Sequence, residues 1–155
     1  MPSGRVHLTF ELATLPLWTA GGVFLGVGWD ELVVFTASYA GSSLLLSPDL
    51  DLAESDATRR WGPLRLLWWP YTAAFKHRGL SHSILLGPLT RVLYLGLLAA
   101  CAWGALYLAL GLRVGWRPPP ARAVAAFLAG IYLSNLLHVL LDRIASVLGR
   151  ARGRS

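Results

Sequence analysis

Charged residues are scarce in this chain of 155 residues: 14% are Asp, Glu, Lys or Arg, and 55% are hydrophobic. Typical soluble domains carry about 25% charged residues, so the shortage argues against an ordinary soluble domain. It predicts an all-α integral membrane protein with a single domain. Cysteine is scarcer still, since Cys101 is the sole one. A disulfide within one chain and a zinc site built from cysteines are therefore both excluded.

The net charge of +6 does not indicate a nucleic-acid partner. The arginines lie between and beyond the apolar runs, where membrane topology explains them better than phosphate binding does. A secretory signal is not expected either, because Glu11 interrupts the approach to the first apolar run and no clear cleavage site follows it. We therefore predict a lipid bilayer as the partner, no nucleic acid, and a retained N-terminus.

Four apolar stretches predict a bundle of about four transmembrane helices, at residues 12–28, 32–46, 92–112 and 123–141. The last two stretches reach the roughly 17–25 residues that a spanning helix needs. They are also rich in Gly and Ala, which let membrane helices approach closely. The first two stretches are shorter, so they form either a tight membrane hairpin or a pair of buried core helices in a soluble protein.

A polar segment at residues 48–83 separates the second and third stretches and mixes aromatic with basic side chains. That mixture favours the headgroup region, and Pro63 and Pro70 predict short helical pieces lying along the interface. With the N-terminus inside the cell, ten Lys and Arg residues lie on the inner side and three on the outer side. This bias predicts the cell (inner) membrane, with both termini cytoplasmic.

All four histidines fall at the inner ends of the predicted helices, and three acids fall there with them. The candidate metal ligands are therefore His7, Asp49, Asp51, His77, His82, His138 and Asp142. Imidazole and carboxylate groups suit divalent zinc, manganese or iron, of which we expect zinc first. Because these candidates exceed the ligands of one tetrahedral zinc, the chain could hold one ion or two.

Two pairs among these candidates have informative spacing. His138 and Asp142, at i and i+4, share one helix face and could grip one ion; alternatively, the acid merely caps a helix-end histidine. Asp49 and Asp51, which follow Pro48, point the same way if the segment is extended, and they would then share a cation. The alternative for them is a capped helix end in a solvated loop.

The string His-Arg-Gly-Leu-Ser-His-Ser at residues 77–83 is the most distinctive motif. Gly79 permits a turn that brings His77 and His82 together, and Arg78 is a planar, bidentate anion binder. The motif predicts catalytic roles for His77, as a ligand or general acid–base, and for Arg78, as the clamp of a phosphate ester. A contact between Arg78 and lipid headgroups is the alternative.

Two resemblances to known families rest on these motifs. The opening Met-Pro-Ser-Gly-Arg-Val-His of residues 1–7, with the later Pro-Asp-Leu-Asp at 48–51, resembles a family of uncharacterised bacterial metal-binding membrane proteins. The string at 77–83, with His138 and Asp142 after it, resembles the YdjM-like membrane-bound metal-dependent hydrolases. Together they imply a metal-binding membrane protein with hydrolase activity and with matching positions at Asp49, Asp51, His77, His82, His138 and Asp142.

His7 matches the N-terminal motif of the first family, with one departure. That family often has an acid directly after this histidine, whereas here Leu8 stands there. Glu11, one helical turn further on, is a candidate substitute for the missing acid.

Two functions are consistent with these observations. The first is a metal-dependent hydrolase of a phosphate ester or lipid-linked substrate, in which the metal would lower the pKa of bound water to about 7. The second is a non-catalytic metal-binding membrane protein for storage, sensing or assembly. A transporter or haem carrier is disfavoured, because the polar residues cluster at one face and no polar path crosses the membrane. The sequence leaves the oligomeric state undetermined.

Overall fold

Every regular element of the described structure is helical, which confirms the all-α prediction. The computed structural model describes residues 3–75, 83–111, 115 and 117–152. Two short 3₁₀ turns, Pro48–Asp51 and Gly62–Trp68, accompany six α-helices. The helices are α1 (Gly4–Phe24), α2 (Trp29–Leu45), α3 (Asp56–Arg60), α4 (Trp69–Ala74), α5 (Leu86–Leu110) and α6 (Ala121–Arg152).

Two of the described helices, α5 and α6, are long and apolar enough to cross a membrane by length and composition. The predicted bundle of four spanning helices is not supported. α1 carries Arg5, His7 and Glu11 in its first half, which dilutes its apolar character. α2 has 17 residues and begins with two acids, Asp30 and Glu31, in its first turn. Both helices therefore fall short of the composition that a spanning segment needs.

The helix ends also differ from the apolar runs that predicted them. α1 begins at Gly4 rather than at residue 12, and α6 continues to Arg152 rather than ending at residue 141. The extra turns contain polar residues, of which His7 and Glu11 are buried against the rest of the protein. An apolar run shows only which part of a helix avoids water. The backbone hydrogen bonds of the helix continue past that run where the polar side chains of the next turns find partners.

The tightest helix contact in the described structure joins α2 to α6 through small residues. A Cβ added to Gly130 would lie 2.1 Å from the hydroxyl oxygen of Ser38 and 2.6 Å from the carbonyl oxygen of Phe35. One turn further along α6, the Ser134 hydroxyl donates a hydrogen bond of 2.7 Å to the Ser42 hydroxyl. Both helices thus repeat small residues at i and i+4, a pattern that brings backbones close together.

The small residues of the third apolar stretch do not share this role. A Cβ added to Gly96 or Gly104 of α5 would meet nothing within 4 Å. The small residues of α5 and α6 predicted that these two helices approach closely. In the structure, the close approach is between α2 and α6. The apolar window of α5 is not buried inside the protein, and this helix is held mainly at its N-terminal end, where Gly87, Pro88 and Arg91 are buried.

The segment between α2 and α5 contains the predicted short helical pieces, but two of its aromatic residues form a core instead of facing headgroups. Trp68 and Tyr71 are buried with Leu50 and Ala57. Trp68 and Tyr71 meet edge to face with ring centroids 5.5 Å apart, a favoured aromatic geometry. Trp69, in contrast, is 72% exposed. This small core supports the Pro48–Asp51 turn, which carries the two acids that follow α2.

Candidate metal centre

Helices α1 and α6 bring together two histidines that lie at opposite ends of the sequence. The rings of His7 and His138 stack with their centroids 3.9 Å apart and an interplanar angle of 18°. Both side chains are buried. The convergence of these two histidines at one end of the helices agrees with the sequence interpretation.

Carboxylates from two elements surround the stacked rings. One oxygen of Asp142 lies 3.1 Å from Nε2 of His7, and its other oxygen lies 4.0 Å from Nε2 of His138. Asp49, from the 3₁₀ turn, places a carboxylate oxygen 3.6 Å from the same His138 nitrogen. His138 and Asp142 share one face of α6, as their i, i+4 spacing predicts. Three separate elements therefore supply imidazole nitrogens and carboxylate oxygens to one point.

Glu11 lies on the other side of His138 from these carboxylates. Its buried carboxylate is 3.0 Å from Nδ1 of His138. A carboxylate that accepts a hydrogen bond from Nδ1 fixes the ring orientation and leaves the Nε2 lone pair available to a metal. The backbone carbonyl of Glu11 accepts a hydrogen bond of 2.9 Å from the Tyr39 hydroxyl, which holds this turn of α1 against α2. It also accepts one of 2.8 Å from the Thr14 hydroxyl within α1. Glu11, the candidate substitute for the acid missing after His7, thus partners His138.

A cavity of about 10 Å³ lies beside the rings and has room for about one water or ion. Its lining includes His7, Glu11, Ser43, Asp49 and His138. Two buried atoms, Nδ1 of His7 and the hydroxyl oxygen of Ser43, have no hydrogen-bond partner within the described residues. Leaving a buried polar atom unpaired costs about 1–3 kcal/mol, so the arrangement fits a site that receives a further ligand.

The spacing and chemistry of the donors fit a divalent metal ion. His7, His138 and Asp142 each offer a ligand atom, and these atoms lie within 4.8 Å of one another. Zinc binds imidazole nitrogen and carboxylate oxygen at about 2.0–2.2 Å, so neighbouring tetrahedral ligands are roughly 3–3.6 Å apart. Small side-chain adjustments would bring the three atoms into this range. Imidazole and carboxylate donors suit zinc, manganese and iron.

Asp49 and Asp51 do not point the same way, which corrects the prediction for an extended segment. Residues 48–51 form a 3₁₀ turn, with Pro48 at its start and the Ser47 hydroxyl accepting a hydrogen bond from the Asp49 amide. A 3₁₀ helix has about three residues per turn, so side chains two apart face different directions. Asp49 lies beside His138, whereas Asp51 is buried away from it, and both carboxylates interact electrostatically with Arg91.

The motif at 77–83 falls largely outside the described residues. His77, Arg78 and His82 are not described, so their predicted roles as ligands, acid–base group and anion clamp remain predictions. The described chain resumes at Ser83, whose hydroxyl accepts a hydrogen bond of 3.2 Å from the Leu86 amide at the start of α5.

Arg91 is a polar residue beside the site that sequence reasoning left without a role. It is 1% exposed, and its guanidinium donates hydrogen bonds to the Leu46 carbonyl and, at 3.1 Å, to the Asn135 side-chain oxygen. Leu46 lies three residues before Asp49, and Asn135 lies about one turn before His138. Arg91 therefore ties α5 to two of the elements that build the site. The sequence did contain one indication of this role. An arginine next to a long apolar run is energetically costly unless its guanidinium is paired.

Truncation of Asn135 should expose the cost of this buried arginine. We expect Asn135→Ala to lower the free energy of unfolding by about 1–3 kcal/mol, because a buried guanidinium loses an acceptor. Asn135→Asp, which keeps an acceptor oxygen, should lose less. Denaturation of the detergent-solubilised variants would measure both values. Equal stability of Asn135→Ala and the wild type would contradict the importance of this hydrogen bond.

These observations define a helical protein with a buried cluster of histidines and carboxylates suited to metal binding. The chain matches the family described as "Uncharacterized metal-binding protein (DUF2227)" over residues 2–152, and it belongs to that family. The first of the two resemblances is thereby confirmed, as is metal binding at the level of the family. Nothing supports the second resemblance, to YdjM-like hydrolases.

A relative in Aquifex aeolicus (strain VF5) carries the description "Uncharacterized protein". It is 30% identical over 136 residues, which cover 78% of this chain and 96% of the relative. No solved structure matches the chain.

Proposed function

We propose that this chain is a membrane-embedded protein that holds a divalent metal ion between α1, α6 and the Pro48–Asp51 turn. His7, His138, Asp142 and Asp49 are the proposed ligands, and Glu11 orients His138. The observation that carries the proposal is the convergence of these side chains around the buried His7 and His138, with His7 and Asp142 only 3.1 Å apart. Like-charged or unpaired groups are rarely gathered in a protein interior unless a partner stabilises them.

Membrane embedding is proposed from the surface of α5. This helix has 25 residues, and large apolar side chains project from it without cover: Leu93 is 62% exposed, Leu97 60% and Leu108 84%. Exposing such side chains to water costs about 25 cal/mol per Å², whereas a bilayer of about 30 Å would cover the helix. The excess of Lys and Arg on the side of the termini supports an inner-membrane orientation with both termini and the metal site at the cytoplasmic face.

Metal content tests the proposal directly. Elemental mass spectrometry of detergent-purified wild type should find one ion per chain, or two if His77 and His82 build a second site. The His138→Ala/Asp142→Ala double variant should lose the ion, because both residues of the α6 pair are removed. Asp30→Ala, which removes an exposed acid at the start of α2, is the matched control and should retain it. Wild type that stays metal-free after reconstitution with zinc, manganese and iron would overturn the proposal.

Hydrolysis of a phosphate ester or lipid-linked substrate is a second candidate. The exposure of Asp49 favours hydrolysis, because its side chain is 24% exposed and a substrate can reach it from outside. A bound divalent ion would supply an activated water and polarise the phosphoryl group. In this candidate His77 would move the proton and Arg78 would hold the substrate anion. Both roles are carried over from the sequence motif.

A panel of soluble phosphate esters and lipid phosphates, assayed with the metal-loaded protein, separates the two candidates. Hydrolysis should require the metal and should fall in Arg78→Lys, which keeps the charge but loses the bidentate fork. Full metal occupancy with no turnover across the panel would favour the non-catalytic alternative of storage, sensing or assembly. The cavity of about 10 Å³ supports that alternative, because it has room for about one ion or water.

A further inference from the structure

A large cavity lies at the opposite end of the same helices. It has a volume of about 910 Å³ and is bounded by α1, α2 and α6. Its lining includes glycines of α1, alanines of α6, and Leu32 and Phe35 of α2. We call this cavity the small-residue groove. From Glu11 to Gly22 the helix rises about 1.5 Å per residue, which places the groove roughly 16 Å from the metal centre.

Missing side chains create the groove. A Cβ added to Gly21 would meet nothing within 4 Å. On α6, the residues that line the groove include Ala125, Ala126 and Ala129. α1 and α6 touch through stacked rings at the metal centre, but here their short side chains leave open space between them. A groove of this volume is in the range of ligand sites, about 300–1,000 Å³, and its apolar lining suits hydrocarbon.

Two opposite charges line this otherwise apolar groove. Glu31, near the start of α2, and Arg122, near the start of α6, both belong to its lining. Neither side chain makes a hydrogen bond or an ion pair with another residue in the described ranges. The lining of the groove therefore contains one acidic and one basic residue that are not paired with each other.

We propose that the small-residue groove binds an aminophospholipid, with acyl chain in the groove, phosphate at Arg122 and primary ammonium at Glu31. This inference rests on the membrane embedding of the proposed function, but not on the metal. Charge complementarity selects the headgroup. A guanidinium binds phosphate with charge-assisted hydrogen bonds, and an ammonium offers three donors to a carboxylate. A quaternary ammonium has no donors, and an anionic headgroup would leave Glu31 without a counter-charge.

Competition between three lipids tests the proposal. The detergent-purified full chain is mixed with equal amounts of phosphatidylethanolamine, phosphatidylglycerol and phosphatidylcholine of one acyl composition, and retained lipid is counted by native mass spectrometry. Wild type should retain phosphatidylethanolamine about tenfold over the others, which corresponds to about 1.4 kcal/mol. Glu31→Gln should abolish its advantage over phosphatidylglycerol. Arg122→Gln should weaken retention of all three, and Arg122→Lys should restore part of it.

Two further variants separate the groove from general charge effects. Ala126→Phe should reduce retention of every lipid, because it fills the groove without changing charge. Arg117→Gln removes an exposed arginine in the loop before α6, outside the groove, and should behave as wild type. Equal retention of the three lipids by wild type, or an unchanged preference in Glu31→Gln, would overturn the proposal.

The lipid and metal results can be read independently of each other. His138→Ala/Asp142→Ala should keep the preference for phosphatidylethanolamine while losing its metal. If wild type binds no metal yet selects this lipid, the metal centre is wrong and the lipid site stands. If metal-loaded wild type retains the three lipids equally, the lipid site is wrong and the metal centre stands.

Discussion

Replacing Gly130 with alanine is expected to lower the free energy of unfolding by about 3 kcal/mol, the upper part of the usual range for overpacked cores. The new Cβ would lie 2.1 Å from the hydroxyl oxygen of Ser38, 2.6 Å from the carbonyl oxygen of Phe35 and 2.8 Å from the amide nitrogen of Tyr39. The Ser38 hydroxyl can rotate away, but the other two atoms belong to the backbone of α2. Relief therefore requires α2 and α6 to move apart.

The same separation would loosen the metal centre. Tyr39 holds the Glu11 carbonyl, and Ser42 accepts a hydrogen bond from Ser134 about one turn before His138. Moving α2 away from α6 breaks the hydrogen bond between Ser134 and Ser42. Because Tyr39 ties α1 to α2, the same movement also pulls Glu11 away from His138. We therefore expect Gly130→Ala to weaken metal affinity as well as stability, although Gly130 lies about two turns of α6 away from His138.

Gly96→Ala is the matched control for this prediction. Gly96 also lies inside a long helix, but a Cβ there would meet nothing within 4 Å. Alanine should leave stability unchanged or raise it, because glycine is less favourable than alanine in a helix by about 1 kcal/mol. Chemical denaturation of both variants in one detergent gives the comparison. Equal stability of Gly130→Ala and Gly96→Ala would show that the α2–α6 contact is looser than the structure indicates.

Features of the fold that depend on composition could be predicted from the sequence. Apolar runs located α2, α5 and the middle of α6, and prolines predicted the short helical pieces between α2 and α5. The convergence of His7 with His138 could also be predicted. When successive helices run in alternate directions, the start of the first helix lies at the same side as the end of the last. These predictions need only the period and the length of a segment.

Features that depend on partners far apart in sequence could not be predicted. The run at 92–112 is rich in glycine and alanine, yet the small residues that pack closely belong to α2 and α6. The partners of Arg91 are the Leu46 carbonyl and Asn135, which lie 45 and 44 residues away. Asp49 and Asp51 diverge because Ser47 and Pro48 start a 3₁₀ turn, whose geometry outweighs the two-residue spacing. Composition marks such residues as unusual but does not identify what they contact.

Replacing Glu11 with glutamine is expected to weaken metal affinity about tenfold, and replacing it with alanine about a hundredfold. Glutamine can still accept the hydrogen bond from Nδ1 of His138. It lacks the negative charge of glutamate, which makes Nε2 of the imidazole a stronger ligand for the metal. Alanine removes both the charge and the hydrogen bond that orients the ring. The two substitutions therefore separate electrostatic tuning from positioning.

Competition with a fluorescent chelator would measure these affinities, with Glu54→Gln, an exposed acid in the loop before α3, as the control that should match wild type. The order of the variants is the informative result. If Glu11 binds the ion itself, glutamine should be nearly as damaging as alanine, because an amide oxygen is a poor replacement for a carboxylate ligand. If Glu11 acts through His138, glutamine should retain part of the affinity. The distance of 3.0 Å between Glu11 and Nδ1 of His138 favours the second outcome. Equal affinity of all three proteins would mean that His138 is held by its packing against His7 alone.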